Sequence, residues 1–197
     1  MRLGVFGGTF DPIHLGHLIL AEACREAIGL DRVWFVVAGS PPHKPGGRTS
    51  AAHRLEMARL AVAGHPAFEV SEIETDRPGP HYSVETLEAV RLARPDDDLS
   101  FLIGGDSLVD LPQWRGPGRI MQLASLVVAN RPGFEPAVPD TPADARPIRH
   151  VTIPPIGIAS HRLRQLLREG RSVRYQVPRA VQAYIDAHGL YRPGPAE

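Results

Sequence analysis

One segment, Arg2 to Ile28, constrains the fold more than any other. An apolar run from Arg2 to Phe6 is stopped by Gly7-Gly8, and Leu15 to Ile28 is then rich in Leu, Ala, Glu and Arg, the pattern of a strand, a glycine turn and a helix. Arg32 to Ala38 follows with Val33, Trp34, Phe35, Val36 and Val37 in succession. A strand with no polar face is one covered on both sides, as in a parallel sheet. Strand, helix and strand together predict a right-handed crossover.

The alternation continues. After a loop rich in Pro and Gly from Gly39 to Arg48, Ala51 to Ala63 reads as a helix stopped by Gly64, and Phe68 to Ile73 as a strand. Pro78-Gly79-Pro80 forces a turn, Ser83 is placed to cap a helix from Val84 to Ala93, and Leu99 to Ile103 is an apolar run ended by Gly104-Gly105. Leu123 to Ala129 and Val151 to Ile153 supply two more strands, with a proline-rich surface loop from Asn130 to Pro147 between them. Ser160 to Glu169 and Pro178 to His188 read as closing helices, with Gly170 and Gly189 at C-cap positions. Six strand candidates alternating with helices predict an α/β fold with a doubly wound, mostly parallel sheet. In such sheets ligands bind at the carboxyl ends of the strands, where the strand order reverses.

The whole chain, 197 residues, is expected to form a single domain with its closing helices at about 160–188. Its 22 basic and 22 acidic side chains cancel, which removes the broad electrostatic case for nucleic acid or an anionic membrane as a partner and leaves small polyanions. Cys24 is the one cysteine, so an intrachain disulfide and a multi-cysteine zinc site are both excluded. That usage, with no apolar run long enough to span a bilayer and no signal-peptide pattern, makes the cytoplasm the expected compartment.

Three clusters fall at predicted strand ends: Gly7-Gly8-Thr9-Phe10-Asp11-Pro12-Ile13-His14-Leu15-Gly16-His17, Ser40-Pro41-Pro42-His43-Lys44, and Gly104-Gly105-Asp106. Gly7 and Gly8 permit close backbone approach, and a helix starting near His14 aims free N–H groups and its positive dipole end at the same space, which therefore suits an anion. His14 and His17, three residues apart on the first helical turn, can both face that space, and Lys44 brings a mobile positive charge. The lysine and hydroxyl of a Walker A loop and the G-x-G-x-x-G of a dinucleotide fingerprint are both missing. The cradle is of another kind.

The first cluster resembles the signature of the nucleotidyltransferase superfamily, whose H-x-G-H motif is shared in related form with class I aminoacyl-tRNA synthetases. The longer string, followed by S-P-P-H-K, Tyr82 to Leu87, Gly104 to Asp106 with Trp114, and Arg131-Pro132-Gly133, is similar to bacterial nicotinate-nucleotide adenylyltransferases, over residues 3 to about 185. The resemblance implies a Rossmann-like nucleotidyltransferase fold. The implied reaction joins nicotinate mononucleotide to ATP with Mg2+, giving deamido-NAD and pyrophosphate. It implies that His17 contacts the α-phosphoryl group, that His14 assists nearby phosphate oxygens, and that Lys44, Arg131 and Arg164 hold phosphate. Asp106 would accept from the adenosine ribose hydroxyls, Trp114 would stack on the pyridine ring, and Thr86 with nearby amides would meet the nicotinate carboxylate. Gly7, Gly8, Thr9, Phe10, Ser40, Gly104 and Ser160 complete the implied substrate surface, and no protein metal ligands are implied.

The chain departs from the family at Ile158 to Arg164, which aligns with I-S-S-T-x-I-R: Ala159 and His161 replace a serine and a threonine and remove two hydroxyl donors from the ATP side. Three rivals to the reading are adenylyl transfer to nicotinamide mononucleotide, adenylyl transfer to phosphopantetheine, and a nucleotide-binding regulator without turnover. Neither nucleic acid nor membrane is an expected partner, and monomer and homo-oligomer both stay open. His53, His65, His81, His150 and His188 receive no role, and Cys24 reads as a small helix residue without redox work.

Overall fold

The computed structural model describes residues 1–39, 49–130, 132–133, 137 and 139–192. Its centre is a six-stranded parallel sheet of β1 (Arg2–Gly8), β2 (Arg32–Val37), β3 (Phe68–Ser71), β4 (Asp98–Gly104), β5 (Ser125–Asn130) and β6 (Ile148–Thr152), in the order β3-β2-β1-β4-β5-β6. The order reverses between β1 and β4, so the crevice for a ligand opens beyond Gly8 and Gly104.

Helices α1 (Leu15–Ile28), α2 (Ala51–Val62), α6 (Ser160–Arg168) and α7 (Arg179–Ala187) share one apolar cluster with Phe6, Phe35 and Leu102. Helices α3 (Ser83–Ala93), α4 (Gly105–Asp110) and α5 (Pro117–Leu123) share another with Val5, Phe101 and Ile103. Neighbouring strand residues thus divide between two cores, the period-2 consequence of a sheet covered on both faces. Gly29 ends α1 in the left-handed region at φ 66°, and the amides of Gly29 and Leu30 turn back onto Glu26 and Arg25 carbonyls at 3.3 and 2.9 Å. This closure needs a residue without a Cβ penalty.

Several boundaries differ from the sequence expectation. Ser83 is the first helical residue and Tyr82 the cap position. The third strand stops at Ser71, the fifth begins at Ser125 because Leu123 closes α5, and the sixth begins at Ile148, three residues early. Residues 105–123, which carry no helical stripe, fold as α4, a 3-10 turn (Leu111–Gln113) and α5. Elements of three to seven residues are too short to display a period. The expected surface loop after β5 is in part a packed strap. Arg146 donates from its amide to the Met121 carbonyl at 2.7 Å and from its guanidinium to Asp98 at 2.9 Å, while Ala145 and Ile148 rest on the second core.

Candidate active site

The end of β1 divides one crevice into two lobes that share Phe6, Gly7, Gly8, Thr9 and Ser107. The first, about 690 Å³, is walled by the signature turn and by the start of α6: Phe10, His14, His17, Ala159, Ser160 and Arg164. The second, about 450 Å³, is walled by Glu74, Tyr82, Ser83, Gly104, Trp114 and Arg115.

In the first lobe the two imidazoles stack, with ring centroids 3.6 Å apart and 19° between planes. The His14 amide donates to His17 Nδ1 at 3.1 Å. His17 lies edge-on to Phe10, centroids 5.1 Å apart, with Phe6 behind it. Burial, and then the neighbouring His14, holds the His17 pKa well below the usual 6.5. A neutral imidazole whose Nδ1 accepts a hydrogen bond carries its proton on Nε2, so His17 is a directed N–H donor. His14 is 5% exposed, and burial lowers its pKa from 6.5 to about 4. Its Nδ1 is closed off from solvent and has no hydrogen-bond partner. Gly16 makes the ring position available, since a Cβ there would stand 3.0 Å from His14 Nδ1.

The opening of α1 is less free than the sequence suggests, because the Leu15 amide is taken by the Gln176 carbonyl at 3.0 Å. The nine-residue α6 supplies a second helix start at the same lobe. No side chain caps it at Ala159, so its first-turn amides and positive dipole end are left open beside this lobe, which Ala159, Ser160 and His161 line. Ser160 donates to the Pro12 carbonyl at 3.0 Å, and Arg164 Nη1 to the Asp11 carbonyl at 2.7 Å. Both residues line the lobe while bracing the signature turn. His161 lines it as an exposed ring.

Gly8 serves packing as much as ligand approach: a Cβ there would lie 2.7 Å from the Phe10 ring, whereas one at Gly7 would meet only Phe101 at 3.9 Å. A Cβ at Gly104 would meet nothing within 4 Å, and this residue opens onto the second lobe. Trp114 stands in that lobe, edge-on to Phe101 at 6.3 Å. Thr86 does not line it. Its hydroxyl donates to Glu74 Oε1 at 2.6 Å, and Glu74 also accepts the Gly39 amide at 3.3 Å. Asp106 is exposed in the first turn of α4, one residue before Ser107. Ser40, Lys44 and Arg131 lie outside the described residues.

The chain matches the cytidylyltransferase-like family over residues 5–166. It belongs to that family. It is 49% identical over 192 residues to a protein of Thermus thermophilus named probable nicotinate-nucleotide adenylyltransferase, covering 98% of this chain and 100% of the relative. A Thermomicrobium roseum protein of the same name is 50% identical, with 97% and 92% covered. Among solved structures, a Plasmodium falciparum nicotinic acid mononucleotide adenylyltransferase complexed with NaAD superposes with a TM-score of 0.79 at 17% identity, covering 96% and 97% of the two chains. A Vibrio parahaemolyticus protein described as a nicotinate-nucleotide adenylyltransferase gives 0.72 at 17% identity, with 98% of each covered. These structural likenesses confirm the Rossmann-like sheet of the family.

Sequence reasoning missed several residues that line the crevice. Glu74, Ser107, Asp110 and Arg115 line it without belonging to any motif. Arg54 is buried on α2 and donates to the carbonyls of Thr49, Thr9, Ala38 and Gly39, binding the ends of β1 and β2 together. An arginine between Ala51 and Leu55 on an otherwise apolar helix face was the available signal. Among the described residues no three His, Cys, Asp or Glu side chains converge as a metal cage.

Proposed function

We propose that this chain transfers the adenylyl group of ATP to nicotinate mononucleotide, with the reacting phosphates in the His14–His17 lobe and the pyridine ring against Trp114. The observation that carries the reading is the His17 Nε2–H donor, fixed in tautomer by the His14 amide and standing beside an uncapped helix start.

A mononucleotide 5′-phosphate has its second pKa near 6 and is largely dianionic at neutral pH. It needs no side-chain base. One of its oxygens bonds to the α-phosphorus of ATP as the α–β anhydride bond breaks, and the electron pair leaves on pyrophosphate. Catalysis is then positioning and charge stabilisation. His17 donates to an α-phosphoryl oxygen, His14 assists at adjacent phosphate oxygens, and Arg164 with the α6 amides holds the leaving phosphates. Lys44, Ser40 and Arg131 join this reading from the sequence alone, as does Asp106 at the ribose. Magnesium enters as the counter-ion of ATP, because it commonly binds through substrate phosphates. With the Thr86 hydroxyl committed to Glu74, the nicotinate carboxylate is received by the first-turn amides of α3, whose cap residue Tyr82 makes no side-chain cap bond.

All of this belongs to one domain over residues 1–197 with its closing helices near 160–188, the first of which lends Ser160, His161 and Arg164 to the crevice. The working compartment is the cytoplasm; no helix of the described residues is long and apolar enough to cross a membrane. The test is a substrate panel. Purified protein with ATP, magnesium and nicotinate mononucleotide, nicotinamide mononucleotide or phosphopantetheine should release pyrophosphate fastest with the first. Equal release from all three, or none, rejects the reading, and nucleotide binding without turnover indicates the regulator.

A further inference from the structure

The turn that carries the signature is conformationally costly and is held from outside. Phe10 adopts φ 50°, in the left-handed region that a bulky side chain rarely enters. Such a conformation persists where the surroundings over-determine it. Here the Thr9 carbonyl accepts from Arg54 at 2.9 Å, the Asp11 carbonyl from Arg164 at 2.7 Å and the Pro12 carbonyl from Ser160 at 3.0 Å. The fourth hold comes from the far end of the described chain. The Tyr191 hydroxyl donates to Asp11 Oδ1 at 2.6 Å, and Tyr191 is itself at φ 65°. Asp11 is buried at 2% exposure, so its carboxylate meets a protein donor where water is scarce. Burial, and then the Asp11 contact, pushes the Tyr191 phenol above its usual range, which keeps it a donor at every working pH. Tyr191 thus grips the residue next to the strained Phe10, and Asp11 passes the hold to Arg164 through its own carbonyl.

We infer that Tyr191 is a positioning residue for adenylyl transfer: its hydroxyl fixes Asp11, and through Asp11 the signature turn and the seat of Arg164. The inference rests on the adenylyl-transfer reading above. Tyr191 touches no reacting atom. Its effect therefore falls on the geometry of the phosphates rather than on the pyridine lobe.

Tyr191→Phe removes one oxygen and keeps the ring. The expected result is a kcat about tenfold lower and a KM for ATP raised a few fold, with the KM for nicotinate mononucleotide within twofold of wild type. Tyr184→Phe is the control, since that hydroxyl contacts His53 Nδ1 at 2.8 Å and nothing in the signature turn. It should keep kcat within twofold, whatever its effect on Tm. The positioning role is overturned if Tyr191→Phe stays within twofold in kcat, if its loss merely follows a loss of folded protein by circular dichroism, or if Tyr184→Phe loses as much. Wild-type protein that makes no deamido-NAD in the same assay overturns the adenylyl-transfer reading instead.

Discussion

The two lobes of the crevice solve different problems with different materials. The first lobe uses a contiguous turn, two stacked neutral imidazoles, a helix start and one guanidinium, Arg164, among its described lining residues. The second lobe is assembled from β4, the start of α3, Glu74, Asp110 and Trp114, with Arg115 paired to Glu85 at 2.9 Å. A site for polyanions that starts with neutral histidines gains donors without the cost of burying cations in the empty state. The proposed reaction concentrates its chemistry in the first lobe, so substitutions there should act on kcat, and substitutions in the second on KM.

The sharpest break of that contrast is His17→Ala. It should lower kcat about 10^3-fold, the scale of losing one preorganised donor to a developing oxyanion, while calorimetry shows nicotinate mononucleotide still binding. Loss of binding without loss of kcat would reverse the assignment of the lobes. The next effect is on acid stability. His14 has a folded pKa of about 4 against 6.5 unfolded. Between these values the unfolded chain binds the extra proton, so its contribution is complete above pH 6.5 and falls away as pH drops toward 4. The full amount is of order 3 kcal/mol. Urea unfolding across that window should show the decline, reduced in His14→Asn, and saturating ATP should lessen it because phosphate favours the protonated ring. A flat profile would mean that the imidazole is not held neutral.

Trp114→Ala should raise the KM for nicotinate mononucleotide about tenfold, ~1.4 kcal/mol, with kcat within threefold; steady-state kinetics decide it. The smallest change is in the opposite direction. Restoring the family hydroxyls with Ala159→Ser and His161→Thr should lower the KM for ATP about threefold, ~0.6 kcal/mol. An unchanged KM would show that the bare α6 amides already satisfy the phosphates.

Much of this contrast was legible in the chain itself. The first lobe follows from Gly7 to His17 because a turn between strand and helix places consecutive residues together, and sequence adjacency then equals spatial adjacency. Asp106 stood out by its place at a strand end, whereas Trp114 could be named only through resemblance. Thr86 was named the same way, but its hydroxyl is turned to Glu74, 12 residues earlier in the chain, a partner that no motif includes. The helices of residues 105–123 were illegible for a different reason: none completes enough turns to show a period.

By itself the sequence determined the parallel α/β layering and the gathering of glycines and imidazoles at one strand end, because both depend on local patterns: apolar runs, glycine stops and imidazoles three residues apart. Tertiary structure alone decided which protons sit where and what holds the turn. The neutral His17 with its proton on Nε2 depends on burial among Phe6, Phe10 and His14. The bracing by Arg54, Ser160, Arg164 and Tyr191 joins residues up to 180 positions apart. Desolvation and long-range hydrogen bonds are properties of the packed chain, and no linear pattern encodes them.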